Sequence, residues 1–138
     1  MNNKFMEIAV EQAKIAIEHN EVPIGAAMVK DGNVLFSSYN KKNIDNVAIF
    51  HAEILCIIGA CKKLNSWRLD GCELYVTLKP CNMCLYALAE ARVCRVYYLL
   101  DSNYIENLNS NFNKIECVSI CDDYNYSNIL KSFFGSLR

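Results

Sequence analysis

The strongest constraint on the fold is a pair of short motifs: His51-Ala52-Glu53 and, about thirty positions later, Pro80-Cys81-Asn82-Met83-Cys84. Together they offer three metal-binding side chains and one carboxylate that coordination does not need. Three protein ligands leave a position for water, as in catalytic zinc sites, whereas structural sites close with four. For these residues to meet, two helix entrances have to converge. After His51 the apolar residues Ile54, Ile57, Ile58 and Cys61 recur at helical spacing, which predicts a helix ending near Asn65-Ser66. Pro80 suits a helix entrance, where its missing N–H costs nothing, and Cys81 and Cys84 then share one side of that helix. The positive end of the helix dipole favours thiolates, so both cysteines are expected to bind as anions.

Taken singly, these residues also have ordinary readings. A Cys-x-x-Cys pair can be a redox couple or half of a structural zinc site, and an isolated histidine is usually a packed or surface residue. In combination, His-x-Glu followed by Pro-Cys-x-x-Cys is the signature of zinc nucleobase deaminases.

On that signature the chain resembles the cytidine/adenosine deaminase superfamily, and within it the bacterial tRNA adenosine deaminases that convert a wobble adenosine to inosine. The resemblance covers most of the chain. Glu21-Val22-Pro23-Ile24-Gly25-Ala26 is similar to that family's E-V-P-V-G-A, Tyr39-Asn40 to its W-N, and His51-Ala52-Glu53-Ile54 to its H-A-E-I. Leu74-Tyr75-Val76-Thr77-Leu78 resembles its L-Y-V-T-L, Ala91 to Val96 its S-R-I-x-R-V, and Phe133-Phe134 with Arg138 its terminal F-F-R-x-R-R. Two departures stand out. Lys79 replaces the acid usual before Pro-Cys, and the A-K-x-G-A and H-H-P-x-x-N-H segments that follow the fourth strand in that family are absent.

The resemblance implies a hydrolytic deaminase holding Zn²⁺ through His51, Cys81 and Cys84, with Glu53 moving protons. It implies a substrate pocket formed by Ile24, Asn40, Ala52, Leu78, Pro80 and Phe134, contacts from Lys131, Phe133 and Arg138 to a tRNA anticodon loop, and a homodimer. For each of these there is a plainer alternative. Glu53 can be a first-turn acid favoured by the helix dipole, Asn40 a turn former, and the apolar residues simple core. Two rival functions share the zinc motif: a deaminase of free bases or nucleosides such as guanine or cytosine, and a non-catalytic zinc subunit of a deaminase complex. The intact Glu53 argues against the second.

Composition bounds the rest. With 138 residues the chain makes one domain, 1–138, large enough for a core without staples. Its amino terminus runs directly into an amphipathic pattern without a signal-peptide profile, so the eight cysteines are expected in a reducing, cytoplasmic setting. Cys56, Cys61, Cys72, Cys94, Cys117 and Cys121 then read as small apolar residues in helices and strands. No stretch approaches the roughly 20 apolar residues that a membrane span needs. A net charge of −1 lacks the excess of a dedicated nucleic-acid-binding domain, which leaves local bases such as Lys41, Lys42, Lys62, Lys63, Lys131 and Arg138.

The coarse pattern predicts a helix from Phe5 to about His19, with Phe5, Ala9, Ala13 and Ala16 or Ile17 buried. Strands 26–30 and 34–39 are joined by the hairpin signal Asp31-Gly32. A strand 72–78, a helix 81–90 and a strand 95–100 form a β-helix-β unit with parallel strands. A fifth strand at 115–121 and a helix at 126–137 follow, with an irregular Asn-rich loop over 102–113. The sum is a three-layer α/β/α domain on a mixed five-stranded sheet, of the cytidine deaminase-like kind.

Overall fold

A computed structural model describes residues 3–101 and 115–135. Helix α1 (Lys4–Glu18) is capped by Asn3, whose side chain accepts the Phe5 and Met6 N–H groups. Strands β1 (Gly25–Lys30) and β2 (Asn33–Tyr39) form a hairpin through Asp31 and Gly32, both at positive φ (52° and 77°), as a primed two-residue turn requires. Helix α2 (Ala52–Leu64) ends on Asn65 in the left-handed conformation. Strand β3 (Cys72–Leu78), helix α3 (Asn82–Glu90) and strand β4 (Arg95–Leu100) make the β-helix-β unit, followed by β5 (Glu116–Ser119) and α4 (Tyr126–Gly135).

The strands run in the order β2-β1-β3-β4-β5, antiparallel on both sides of β1 and parallel from β3 to β5. Alternation along the strands divides the interior in two. Ala26, Met28, Leu74, Val76 and Val96 pack with Ala52, Cys56, Ala60 and Leu88 of α2 and α3. Val29, Tyr75 and Leu99 face the other way and pack with Met6, Ala9, Val10 and Ala13 of α1 and Tyr126 of α4. The expected three layers follow. In the antiparallel register Ala26 lies opposite Val76, so the start of β1, the end of β2 and the end of β3 meet along one rim of the sheet. Both sequence motifs open from that rim.

Several details differ from the sequence reading. Helix α2 buries Ala52, Glu53, Cys56 and Ala60, while Ile54, Ile57 and Cys61 are half-buried and Ile58 is 38% exposed. A ridge of small side chains spaced by four lets the helix axis lie close to the sheet, so the bulkier stripe is displaced to the flank. Helix α1 buries Met6 and Val10; Phe5 is only half-buried, against Tyr75, and Ile17 is exposed. Cys94 and Cys121 fall just outside their strands and are exposed, so they are not core residues. The segment 102–113 expected as an irregular loop and residues 136–137 of the expected last helix lie outside the described residues.

Close approach explains Gly25. A Cβ there would sit 2.0 Å from the Ala9 carbonyl oxygen and 2.5 Å from the Ala13 nitrogen, both backbone atoms that cannot swing aside. At Gly59 the clash is with the Phe36 ring, a side chain 39% exposed and able to turn. Gly25→Ala is therefore expected to destabilise by about 3 kcal/mol or more and Gly59→Ala by clearly less. Denaturant unfolding of the two variants checks the order.

Candidate metal centre

His51 and Cys81 occupy the N-cap positions of α2 and α3, with extended backbone (φ/ψ −72°/154° and −70°/171°) and no side-chain cap hydrogen bond. A side chain able to bind metal stands where a capping side chain usually stands. At α2 the capping work passes to Asn40, whose Oδ1 accepts the Ala52 N–H at 2.9 Å. Cys84 lies one turn into α3, so helix geometry places its sulfur beside that of Cys81. Helix α3 begins one residue later than expected, which frees Cys81 from helical backbone angles.

His51 Nδ1 is 3.8 Å from Cys81 Sγ and 3.6 Å from Cys84 Sγ, and the three donor atoms lie within 4.8 Å of one another. Tetrahedral bonds of ~2.0 Å to nitrogen and ~2.3 Å to sulfur give nitrogen-to-sulfur edges of about 3.6 Å. The trio can therefore hold a tetrahedral metal ion through three corners without rearrangement. Glu53 lies beside it on the first turn of α2, 3% exposed, with an Oε1 atom that is buried and has no hydrogen-bond partner. Such an orphan acceptor is costly to fold inside and marks a place where a ligand is expected.

The titration of the cluster follows from this crowding. Burial pushes the Glu53 carboxyl up to about 7, a range suited to taking and releasing protons near neutrality. The Cys84 thiol donates toward the Cys81 sulfur and, with His51, draws Cys81 down to about 4 against the effect of burial. The same partnership, with burial and Glu53, pushes Cys84 upward. Without a cation the two sulfurs oppose each other's ionisation, so the expectation that both bind as anions concerns the metal-loaded site. One thiolate and one thiol share a proton, and a cation is needed to remove it. The hydrogen bond with Cys81 in turn raises the pKa of His51, while burial, and to a lesser degree the Lys42 charge, oppose that rise.

The other expected site residues fall unevenly. Asn40 (8% exposed), Ala52 and Pro80 are buried, and Ile24 is half-buried against the α2 and α3 side of the core. Asn40 spends one acceptor site of its amide oxygen on α2, and its NH₂ group is a donor that it can offer to a ligand. Leu78 packs instead with the α1 and α4 side. Phe134 is 49% exposed near the end of α4, edge-on to the half-buried Phe133, and Lys131 is exposed on the same helix. Arg138 lies outside the described residues. Lys79 is 3.9 Å from Asp101 and 5.6 Å over the Tyr98 ring, so its charge is partly matched. Glu21 carried no site signal in the sequence. It is 1% exposed and accepts the Ile44 N–H at 2.6 Å, pinning the segment that leads to His51.

Set beside known proteins, the whole chain, residues 1–138, matches the family model of MafB19-like deaminases. The chain belongs to that family. This deaminase is 45% identical to the tRNA-specific adenosine deaminase of Aquifex aeolicus over 68% of the chain and 62% of that relative. It is 35% identical to the enzyme of the same name from Rickettsia bellii over 96% of the chain and 99% of the relative. Among solved structures, a tRNA:A34 deaminase superposes with a TM-score of 0.78 at 37% identity, covering 85% of this chain and 97% of the other. A guanine deaminase from Bacillus subtilis superposes with a TM-score of 0.68 at 33% identity, covering 83% and 73%. The matches to the relatives from Aquifex aeolicus, Agrobacterium fabrum and Bacillus subtilis, 45–49% identical, span 58–62% of those proteins' length.

Because Glu53 sits at about 7 against an ordinary 4.5, the folded chain keeps a proton between those values that the unfolded chain has lost. Its contribution to stability is complete below 4.5 and disappears as pH rises through 7. In protein stripped by a chelator, stability is expected to fall over this window by about 3 kcal/mol more in the parent than in Glu53→Gln. Urea unfolding across the window checks it; equal slopes would place the proton elsewhere.

Proposed function

We propose that the chain is a zinc-dependent hydrolase that deaminates the wobble adenosine of tRNA to inosine, releasing ammonia. The observation that carries this reading is the buried, unpartnered Glu53 oxygen beside the His51, Cys81 and Cys84 trio. Three ligands and a free carboxylate suit catalysis; a structural zinc site has no use for the carboxylate. Zinc supplies Lewis acidity that makes water acidic near neutral pH. Glu53 is placed to take one proton from the attacking water as the water oxygen adds to the purine carbon bearing the amine. It passes that proton to the ring nitrogen, then takes the second proton from the added hydroxyl and passes it to the departing amine, so that ammonia leaves, a carbonyl remains and the carboxylate is unchanged. The Asn40 NH₂ group orients the nucleoside, and Ile24, Ala52 and Pro80 exclude water around the base.

The names of the relatives support tRNA as the substrate. Lys131, Phe133, Phe134 and Arg138 are the residues we assign to the anticodon loop, where cations meet phosphate and aromatic rings meet unpaired bases. The exposed apolar residues Ile58, Met83 and Tyr86 on α2 and α3 favour pairing of two copies through those helices. Each of the eight cysteines is a free thiol, which suits the cytoplasm. Among the described residues no helix is long and apolar enough to cross a membrane.

Purified protein is expected to carry one zinc per chain and to convert adenosine to inosine in tRNA with adenosine at position 34. Glu53→Ala should keep zinc and lose turnover at least about a hundredfold, whereas Cys84→Ser should lose both. Elemental analysis and sequencing of the product RNA read these outcomes. Ammonia release from free guanine or cytosine with none from tRNA would instead establish the free-base reading that the guanine deaminase likeness favours.

A further inference from the structure

The terminal helix is wired to the site through one phenol. Tyr126, the first residue of α4, is fully buried, and its hydroxyl donates to the Pro23 carbonyl at 2.7 Å, across 103 positions of sequence. The arrangement around that bond is closed. Thr77 Oγ1 accepts the Gly25 N–H at 3.2 Å, two residues past Pro23, while Asp122 accepts the Tyr126 and Ser127 N–H groups at 2.9 and 3.0 Å.

Beyond Pro23 the bonds continue toward the metal ligands. The Ile24 carbonyl accepts the Asn40 N–H at 3.2 Å, and Asn40 Oδ1 accepts the Ala52 N–H between His51 and Glu53. Tyr126, Pro23, Ile24, Asn40 and Ala52 thus form a continuous run from α4 to the first turn of α2. Packing alone does not require it. A phenylalanine fills nearly the same volume, but it leaves the buried Pro23 carbonyl without this donor.

We infer that Tyr126 is a positioning residue: through Pro23, Ile24 and Asn40 its hydroxyl sets the placement of the α2 entrance, and so of Glu53, relative to a substrate held by α4. The inference rests on the deaminase reading above. Its consequence is that a substrate gripping the exposed side of α4 is held in register with the carboxylate that moves protons, where small misplacements cost much rate.

The test is Tyr126→Phe, made in the full chain and loaded with zinc. Zinc content and KM for the tRNA are expected to stay within about twofold, while kcat falls about fivefold or more. Native-state amide exchange should quicken at Asn40 and Ala52 by about tenfold, and not at amides of β4. A fall in melting temperature with unchanged kcat and unchanged exchange at Ala52 would make Tyr126 an ordinary core residue and overturn the inference. If the parent protein fails to deaminate the tRNA, the functional reading fails by itself, and the exchange measurement still decides whether the linkage exists.

Discussion

Everything at this site depends on two helix entrances that have given their cap positions to His51 and Cys81, side chains that could hold a metal ion. An uncapped helix leaves backbone N–H groups unsatisfied, and the cost is about 1 kcal/mol per missing cap. At α2 the chain offsets it by bringing Asn40 from the end of β2 to accept the Ala52 N–H. That bond fixes the helix, the helix fixes Glu53, and the β-helix-β unit fixes the cysteines opposite. His51 is thereby released to reach toward Cys81 and Cys84. The sheet rim is the only economical place for the convergence, since β1 begins there while β2 and β3 end.

The same crowding explains the chemistry. Burying Glu53 without a partner for Oε1 destabilises the empty fold, yet it places the carboxyl near pH 7, where a proton can be taken or returned at little cost. The cysteine pair shows the complementary effect. Two sulfurs this close cannot both be anionic until a cation lies between them, so metal affinity and cysteine deprotonation are one event.

Much of this was legible in the residues. The hairpin at Asp31-Gly32, the third strand and the three-ligand pattern depend on short local signals that few other structures satisfy. The buried face of α2 was not legible, because its Ile54, Ile57, Ile58 and Cys61 stripe is the better hydrophobic pattern while the ridge of Ala52, Cys56 and Ala60 is the better fit to the sheet. Tyr126 and Glu21 were invisible for another reason. Their partners, Pro23 and Ile44, are backbone groups far along the chain, and no residue spacing encodes such a bond.

The central claim is a metal held by three protein ligands with a fourth position open beside Glu53. X-ray absorption at the zinc edge of the purified protein measures this directly. The account predicts one nitrogen at ~2.0 Å, two sulfurs at ~2.3 Å and one further light atom from solvent, the same in Glu53→Gln as in the parent. A closed shell of four protein ligands, or a spectrum that changes when Glu53 is replaced because its carboxylate had been coordinating, would contradict it.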